Sequence, residues 1–175
     1  MRKEQLELAL KMEEWTDAYK TSSNIYQLMN RVSKKRSVEQ VREIYAEFYL
    51  HFSNIFWESE LYLFHAYALQ KVHNLNKGQK KVAADERRAI NDQFVLAALS
   101  VPLNNKLTNF ERLSFNFVLS SQKDFDETNL ISRAELNEAA KMLNVEGQPS
   151  RHSVIHFINI ENVLANTQEH IQELF

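Results

Sequence analysis

The sequence predicts an all-α fold of stacked antiparallel helical hairpins, and three features of its 175 residues support this. Apolar residues recur every three or four positions in almost every apolar segment, which is the spacing of one face of a helix. The chain has only two glycines and two prolines, too few for the tight turns of a β-rich fold. Nine aromatic residues fall within residues 45–75. That much apolar area must be buried by packing against other helices.

The composition limits the classes of function. The apolar fraction of 44% and the charged fraction of 25% are typical of a soluble globular domain. The absence of cysteine excludes disulfides, thiolate zinc sites and cysteine catalysis. No apolar run approaches the roughly 18 residues of a membrane span, and the start MRKEQ is not a signal peptide. The net charge of −2 favours neither nucleic acid nor membrane. We therefore expect no membrane contact.

The first two predicted helices lie before residue 33. The first is short and ends near residues 12–14, with the apolar positions Leu6, Ala9 and Leu10. The second begins near Trp15, and Thr21-Ser22-Ser23 is expected to weaken its middle. A polar loop follows. Ser37 and Gln40 then form a capping box that predicts the start of the third helix.

The central hairpin spans residues 45–75, with two helices that meet at Trp57. Ser59 is expected to cap the second helix, and Glu60 suits the positive charge of its first turn. We expect Trp57 and Phe64 to be buried where the helices cross. The predicted structural core consists of Phe48, Phe52, Phe56, Trp57, Phe64 and Leu69.

The remaining chain divides into a helix, a variable connection and a second helical region. A helix from about Ala84 is stopped by Pro102. Ser132 and Ser150 are candidate N-caps, and Asn144 can adopt the left-handed conformation that ends helices. A final helix is expected from near Asn166, still running at Phe175, so we expect the native protein to continue. The predicted units are residues 1–102 (helical hairpins), 103–131 (connection) and 132–175, continuous with the first.

Trp15 and Trp57 lie 42 residues apart, each near a break between two helices. Periods of about 34 to 47 residues are typical of solenoids of stacked helical hairpins. The sequence therefore predicts a TPR/HEAT-like, right-handed solenoid. Two copies are too few to establish a true internal repeat, so that question stays open.

The histidines and carboxylates are weak candidates for chemistry. His152 and His156 have the spacing of two metal ligands on one helix face, but exposed helix histidines are the commoner interpretation. His65 lies beside the apolar stripe, where a core histidine bonded to a neighbour is favoured over a catalytic one. The carboxylates of residues 124–127 lack the glycine and bidentate glutamate of a calcium loop. We predict no enzyme activity, no metal, no cofactor and no small-molecule substrate.

Two basic loops are the candidate RNA contacts. They contain Lys34, Lys35, Arg36, Lys77, Lys80 and Lys81. Lysine and arginine can neutralise phosphates, but solubilising loops have the same composition, and that alternative stays open.

Four stretches together resemble one family: the largest, "a" subunit of eukaryotic translation initiation factor three, where helical repeats lead into its PCI domain. Residues 13–29 resemble its Trp-x-x-Ala-aromatic repeat, and residues 54–75 its Phe-Trp…Leu-Phe-His-Ala…Leu hairpin. Residues 94–103 resemble its Leu-Ala-x-Leu-Ser-Ile-Pro helix end, and residues 142–155 its Leu-Gly-Leu-x-x-x-Pro-Thr-Arg junction. The matching positions are Phe56, Trp57, Leu63, Phe64, His65, Ala66, Leu96, Ala97, Leu99, Ser100, Val101, Pro102, Leu143, Val145, Pro149, Ser150 and Arg151.

The resemblance implies a cytoplasmic scaffold protein whose PCI winged helix lies beyond Phe175. Such a protein helps bind the factor to the small ribosomal subunit, and it supports pre-initiation complex assembly. It pairs with the "c" subunit through PCI helices and approaches messenger RNA near the exit of its channel. Asn144 replaces a family glycine, and residues 104–131 match poorly. A PCI-type scaffold of the proteasome lid or the signalosome is the alternative. A helical-bundle enzyme with a buried histidine or metal centre is a second one.

Overall fold

The computed structural model describes residues 2–12, 14–33, 36–77, 79, 82–102, 133–145 and 149–175, and within them it contains helices and no strand. The α-helices are α1 (Arg2–Lys11), α2 (Trp15–Val32), α3 (Val38–Glu58), α4 (Tyr62–Asn76), α5 (Ala84–Ser100), α6 (Arg133–Met142), α7 (Arg151–Ile160) and α8 (Glu169–Gln172), with a 3₁₀ helix at Val163–Asn166. The all-α prediction is confirmed. The predictions made for residues 103–131 and for the cap at Ser132 lie outside the described residues.

The helices pack as consecutive neighbours. Helices α1 and α2 pair, α2 packs on α3, α3 pairs with α4, and α4 packs on α5. Helix α7 lies against both α4 and α5, while the 3₁₀ helix and α8 contact α5. Contacts between sequence neighbours are typical of stacked helical hairpins, each of which cannot bury its apolar face alone.

The core of the α3–α4 hairpin is a chain of phenylalanine rings. Phe52 and Phe56 are fully buried, with ring centroids 4.4 Å apart. Phe48 stacks on Phe52 at 5.4 Å, and Phe64 of α4 lies 5.4 Å from Phe56. Leu69 is also buried. Burying each such side chain contributes roughly 1.5–3 kcal/mol, so this chain of rings is a main source of the hairpin's stability.

The prediction that Trp57 belongs to the buried core is wrong, because 45% of its surface is exposed. Successive residues of a helix are rotated by about 100°. When Phe52, Ile55 and Phe56 face the interior, the neighbouring position 57 is turned toward the edge of that face. Trp57 does lie at the junction of the two helices, but on its outer side.

The junction at residues 59–61 also differs from the prediction. Ser59 ends α3 instead of capping α4, with its backbone N–H donating to the Ile55 carbonyl. Glu60 has a left-handed φ of 58°, and the N–H of Leu61 donates to the Phe56 carbonyl at 2.8 Å. These bonds form a Schellman motif, which closes a helix by satisfying its last carbonyls. Helix α4 begins at Tyr62 with Leu61 at the N-cap position, where no side-chain cap bond is made.

Other helix ends agree with the sequence. The hydroxyls of Ser37 and Ser150 accept hydrogen bonds from the N–H groups of Gln40 and Ser153, as N-caps do. Asn144 has a left-handed φ of 44° after α6. Each of these ends is set by short-range bonds, which is why local sequence predicts it.

Helix α2 is continuous through Thr21-Ser22-Ser23, so the predicted weak middle is wrong. Ser22 and Ser23 are buried, and the Ser23 hydroxyl donates to Glu138 of α6 at 2.6 Å. Tertiary packing outweighs the low helix propensity of these residues. The hydroxyl of Tyr49 in α3 likewise donates to the Met142 carbonyl at 2.8 Å, so α6 is bonded to both α2 and α3.

The C-terminal prediction of one helix from Asn166 to the chain end is wrong. A 3₁₀ helix occupies Val163–Asn166, and α8 spans only Glu169–Gln172. Each of these two short elements contacts α5 and contributes one buried apolar residue, Val163 and Ile171 respectively. One straight helix had been expected here. None of the described helices is both long and apolar enough to span a lipid bilayer.

Candidate functional site

A row of polar side chains, here called the polar seam, joins α4 and α5 to the C-terminal segment. It consists of His73, Asn91 and Asp92 with the backbone of Asn166 and Gln168. His73 Nδ1 lies 2.7 Å from Asn91 Oδ1, and Asn91 Nδ2 donates to the Asn166 carbonyl at 3.3 Å. The N–H of Gln168 donates to Asp92 Oδ1 at 2.9 Å. Asn91 and Asp92 are each only 6% exposed, so these bonds fix the position of the segment.

A cleft of about 320 Å³ opens beside the polar seam. Lys77 and Glu161 form an ion pair at it, and the hydrogen bond and charge of Lys77 hold the pKa of the Glu161 carboxyl below its usual value. The other lining residues include His73, Arg87 and Asn166. The Arg87 guanidinium donates to the Val82 carbonyl at 3.1 Å. The ionic groups that line the cleft are thus engaged in holding the fold together.

The candidate RNA contacts are only partly described. Arg36 is exposed just before α3. Lys77 is exposed at its side chain but paired with Glu161, which lowers the charge it offers to a phosphate. Lys34, Lys35, Lys80 and Lys81 lie outside the described residues. RNA binding by the two loops therefore stays a prediction.

Three histidines lie as their structural interpretation predicted. His65 is bonded to a neighbour, and His152 and His156 are exposed on a helix. His65 Nδ1 lies 2.8 Å from the Ser53 carbonyl, and burial lowers the pKa of its imidazole. His152 and His156 are both exposed on α7, with ring centroids 6.1 Å apart. Across the described ranges, no cluster of three or more His, Cys, Asp and Glu side chains is placed to hold a metal ion.

The exposed ring of Trp57, which the sequence pattern predicted to be buried, lies with two half-buried rings at the α3–α4 junction. We call Trp57, Tyr62 and His65 the Trp57 patch. The Trp57 ring lies 5.3 Å from Tyr62 and 5.2 Å from His65, centroid to centroid. The helical phase of position 57, one residue beyond the buried Phe56, was the signal that could have revealed it.

Comparison with known proteins gives one consistent family. The family model described as "eIF3a, PCI domain, TPR-like region" matches residues 1–175. The chain is 30% identical to the "a" subunit of eukaryotic translation initiation factor 3 from Nematostella vectensis, over 95% of its own length and 16% of the relative's. The corresponding protein of Culex quinquefasciatus is 30% identical over 99% of the chain, and that of Homo sapiens 28% over 98%. The chain spans only 14% and 11% of those two relatives.

Proposed function

The chain belongs to the family of the TPR-like region of the eIF3a PCI domain, and from this premise we propose that it is an interaction scaffold within a translation initiation factor. The observation that carries the proposal is the match of the family model over all 175 residues. We propose that its role is to hold protein and RNA partners together, without catalysis of its own.

The proposed partners follow from the family resemblance and from the architecture. They are other subunits of initiation factor three, notably the "c" subunit, together with the small ribosomal subunit, its RNA and messenger RNA. Stacked helical hairpins offer extended surfaces for such contacts. The proposed roles are support of pre-initiation complex assembly and recruitment of messenger RNA, in the cytoplasm.

Affinity purification from a eukaryotic cell extract tests the proposal. The tagged chain is expected to recover initiation factor three subunits and small-subunit ribosomal proteins, as measured by quantitative mass spectrometry. A parallel sample treated with ribonuclease separates contacts made through RNA from direct protein contacts. Recovery of proteasome-lid or signalosome subunits instead would overturn the proposal in favour of the alternative assembly.

Direct RNA binding is tested separately with charge reversals. Lys77 is paired with Glu161, so both variants leave it intact. The first variant changes Lys34, Lys35 and Arg36 to Glu. The second changes Lys80 and Lys81 to Glu. In a control variant, Lys11 and Lys141, both exposed on helices, are changed to Glu. This gives the same change in net charge as the Lys80/Lys81 variant.

We expect the wild-type chain to bind labelled ribosomal RNA weakly, with a Kd of roughly 10⁻⁴–10⁻⁶ M that rises steeply with salt. The loop variants should weaken binding on every RNA sequence alike, and more than the control does. Equal binding by wild type and loop variants at low salt would show that the loops only solubilise the chain, and that the scaffold works through protein contacts alone.

A further inference from the structure

Trp57 is exposed, whereas the other aromatic rings of the α3–α4 hairpin named above are buried or half-buried. Its neighbour Phe56 is fully buried, yet 45% of Trp57 remains accessible. Exposing a large aromatic side chain forgoes hydrophobic stabilisation. Tryptophan and tyrosine are also the residue types enriched at the centres of protein interfaces. The exposed indole is therefore better explained by binding than by stability.

Hydrogen bonds order the backbone at Trp57 and the ring of His65 within the chain itself. The backbone carbonyl of Trp57 accepts the N–H of Glu60 at 3.0 Å, inside the Schellman motif. The ring of His65, 5.2 Å from the indole, is held by its Nδ1 contact with the Ser53 carbonyl. A carbonyl only accepts, so Nδ1 carries the proton. A binding surface ordered in advance loses little conformational entropy when it binds.

The stretch of the α3–α4 hairpin that carries the patch is negatively charged. Residues 43–70 contain four glutamates and no lysine or arginine. Two of those glutamates, Glu58 and Glu60, are exposed and closely follow Trp57 in sequence. A phosphate would be repelled by these carboxylates, whereas a cation would be attracted by them. This charge distribution favours a basic protein segment over RNA.

Indole is the aromatic ring that binds cations most strongly. Arginine fits such a site better than lysine, since its planar guanidinium stacks on an aromatic face and also donates to carboxylates. We propose that the Trp57 patch, with Glu58 and Glu60, is a docking site for an arginine side chain of a basic segment in a partner protein. The guanidinium lies over the exposed face of Trp57, and its N–H groups donate to the two carboxylates. The site does not depend on the proposed function, because it rests on the exposure and charge of this hairpin.

Fluorescence anisotropy of a short labelled peptide of alternating arginine and glycine tests the site, with the 175-residue chain as titrant. A peptide with lysine in place of arginine and a labelled oligouridylate serve as comparison probes. The variants are Trp57→Ala, Trp57→Phe and the pair Glu58→Gln with Glu60→Gln. The controls are Leu96→Ala, at a residue 41% exposed on α5, and the pair Glu169→Gln with Glu173→Gln, both exposed.

We expect Trp57→Ala to weaken binding of the arginine peptide by roughly 2- to 30-fold. Trp57→Phe should lose less, because phenylalanine keeps a weaker ring face. The Glu58/Glu60 pair should also weaken binding, whereas both controls should bind as wild type does. Circular dichroism of each variant checks that it is folded, and the glutamine pair tests the site even where Trp57→Ala is unstable.

Three results would overturn the proposal. The first is unchanged arginine-peptide binding in folded Trp57→Phe and in the glutamine pair. The second is equal affinity for the lysine peptide, which would mean a charge effect without stacking. The third is tighter, Trp57-dependent binding of the oligouridylate, which would make the patch a base-stacking surface for RNA.

Discussion

At the scale of single residues, Phe56 and Trp57 are adjacent in sequence but differ in burial. One step along the helix turns the side chain by about 100°, away from the interior. Phe56 contacts Phe52 and Phe64 and has no exposed surface. Trp57 contacts Tyr62 and His65 at the surface. Both residues belong to the same aromatic stretch, yet their contributions to stability must differ.

Replacing Phe56 with Ala is expected to reduce the free energy of unfolding by about 3–5 kcal/mol, since it removes a fully buried ring and leaves a cavity. Trp57→Ala is its matched neighbour and should cost clearly less, because part of the indole is already in water. Urea unfolding followed by circular dichroism measures both. Equal losses for the two variants would contradict the placement of Trp57.

His65 should make stability depend on pH. Burial lowers the pKa of His65 in the folded chain below the ordinary 6.5, so the unfolded chain takes up a proton first as the pH falls. The free energy of unfolding should therefore decrease from pH 6.5 down to the lower folded pKa, and this contribution is fully present above 6.5. Proton uptake by the folded state removes any further change below that window.

Urea unfolding above and below pH 6.5 tests this dependence in three proteins. His65→Gln should show a shallower pH dependence than wild type across the window. His152→Gln, at an exposed position on α7, serves as control and should keep the wild-type slope. The same slope in wild type and His65→Gln would assign the pH dependence to other groups.

At the scale of elements, the ends of the helices are fixed by short-range hydrogen bonds. Ser37 begins α3 through its side chain. The backbone alone ends the same helix, through the Schellman bonds at Glu60 and Leu61. Each device satisfies backbone groups that the helix itself leaves unpaired, so helix boundaries depend on a few local residues.

Ser37→Ala is expected to destabilise the chain by about 0.5–2 kcal/mol, because the N–H of Gln40 loses its side-chain acceptor. Ser100→Ala is the control. That hydroxyl bonds the Leu96 carbonyl near the C-terminal end of α5 and caps no N–H group. Thermal unfolding measures both variants. A loss for Ser100→Ala as large as that for Ser37→Ala would contradict the capping role.

At the scale of the whole molecule, side-chain hydrogen bonds tie distant parts of the sequence together. Asp92 and Gln168 are bonded across 76 positions, and Tyr49 and Met142 across 93. The polar seam attaches the 3₁₀ helix and α8 to α5. These bonds, with the buried Val163 and Ile171, hold the C-terminal segment in place.

Asp92→Ala should loosen the C-terminal segment selectively. It leaves the N–H of Gln168 without its acceptor, a loss of about 1–3 kcal/mol. Hydrogen exchange is expected to accelerate in residues 163–172 while α3 keeps its protection. Gln93→Ala, at the adjacent exposed position on α5, should change neither region. Uniform acceleration over the whole chain would show that the seam supports global stability instead.

Local patterns were sufficient to predict the helical class, the start of α3 at Ser37 and the end of α6 at Asn144, because apolar period and capping depend on residues close in sequence. The same patterns identified the buried phenylalanines and the bonded His65. The continuity of α2 through Ser22 and Ser23 and the pairing of Lys77 with Glu161 could be learned from the folded chain alone. These features depend on which helix packs against which face and on partners up to 115 positions away, and a local pattern carries no information about them.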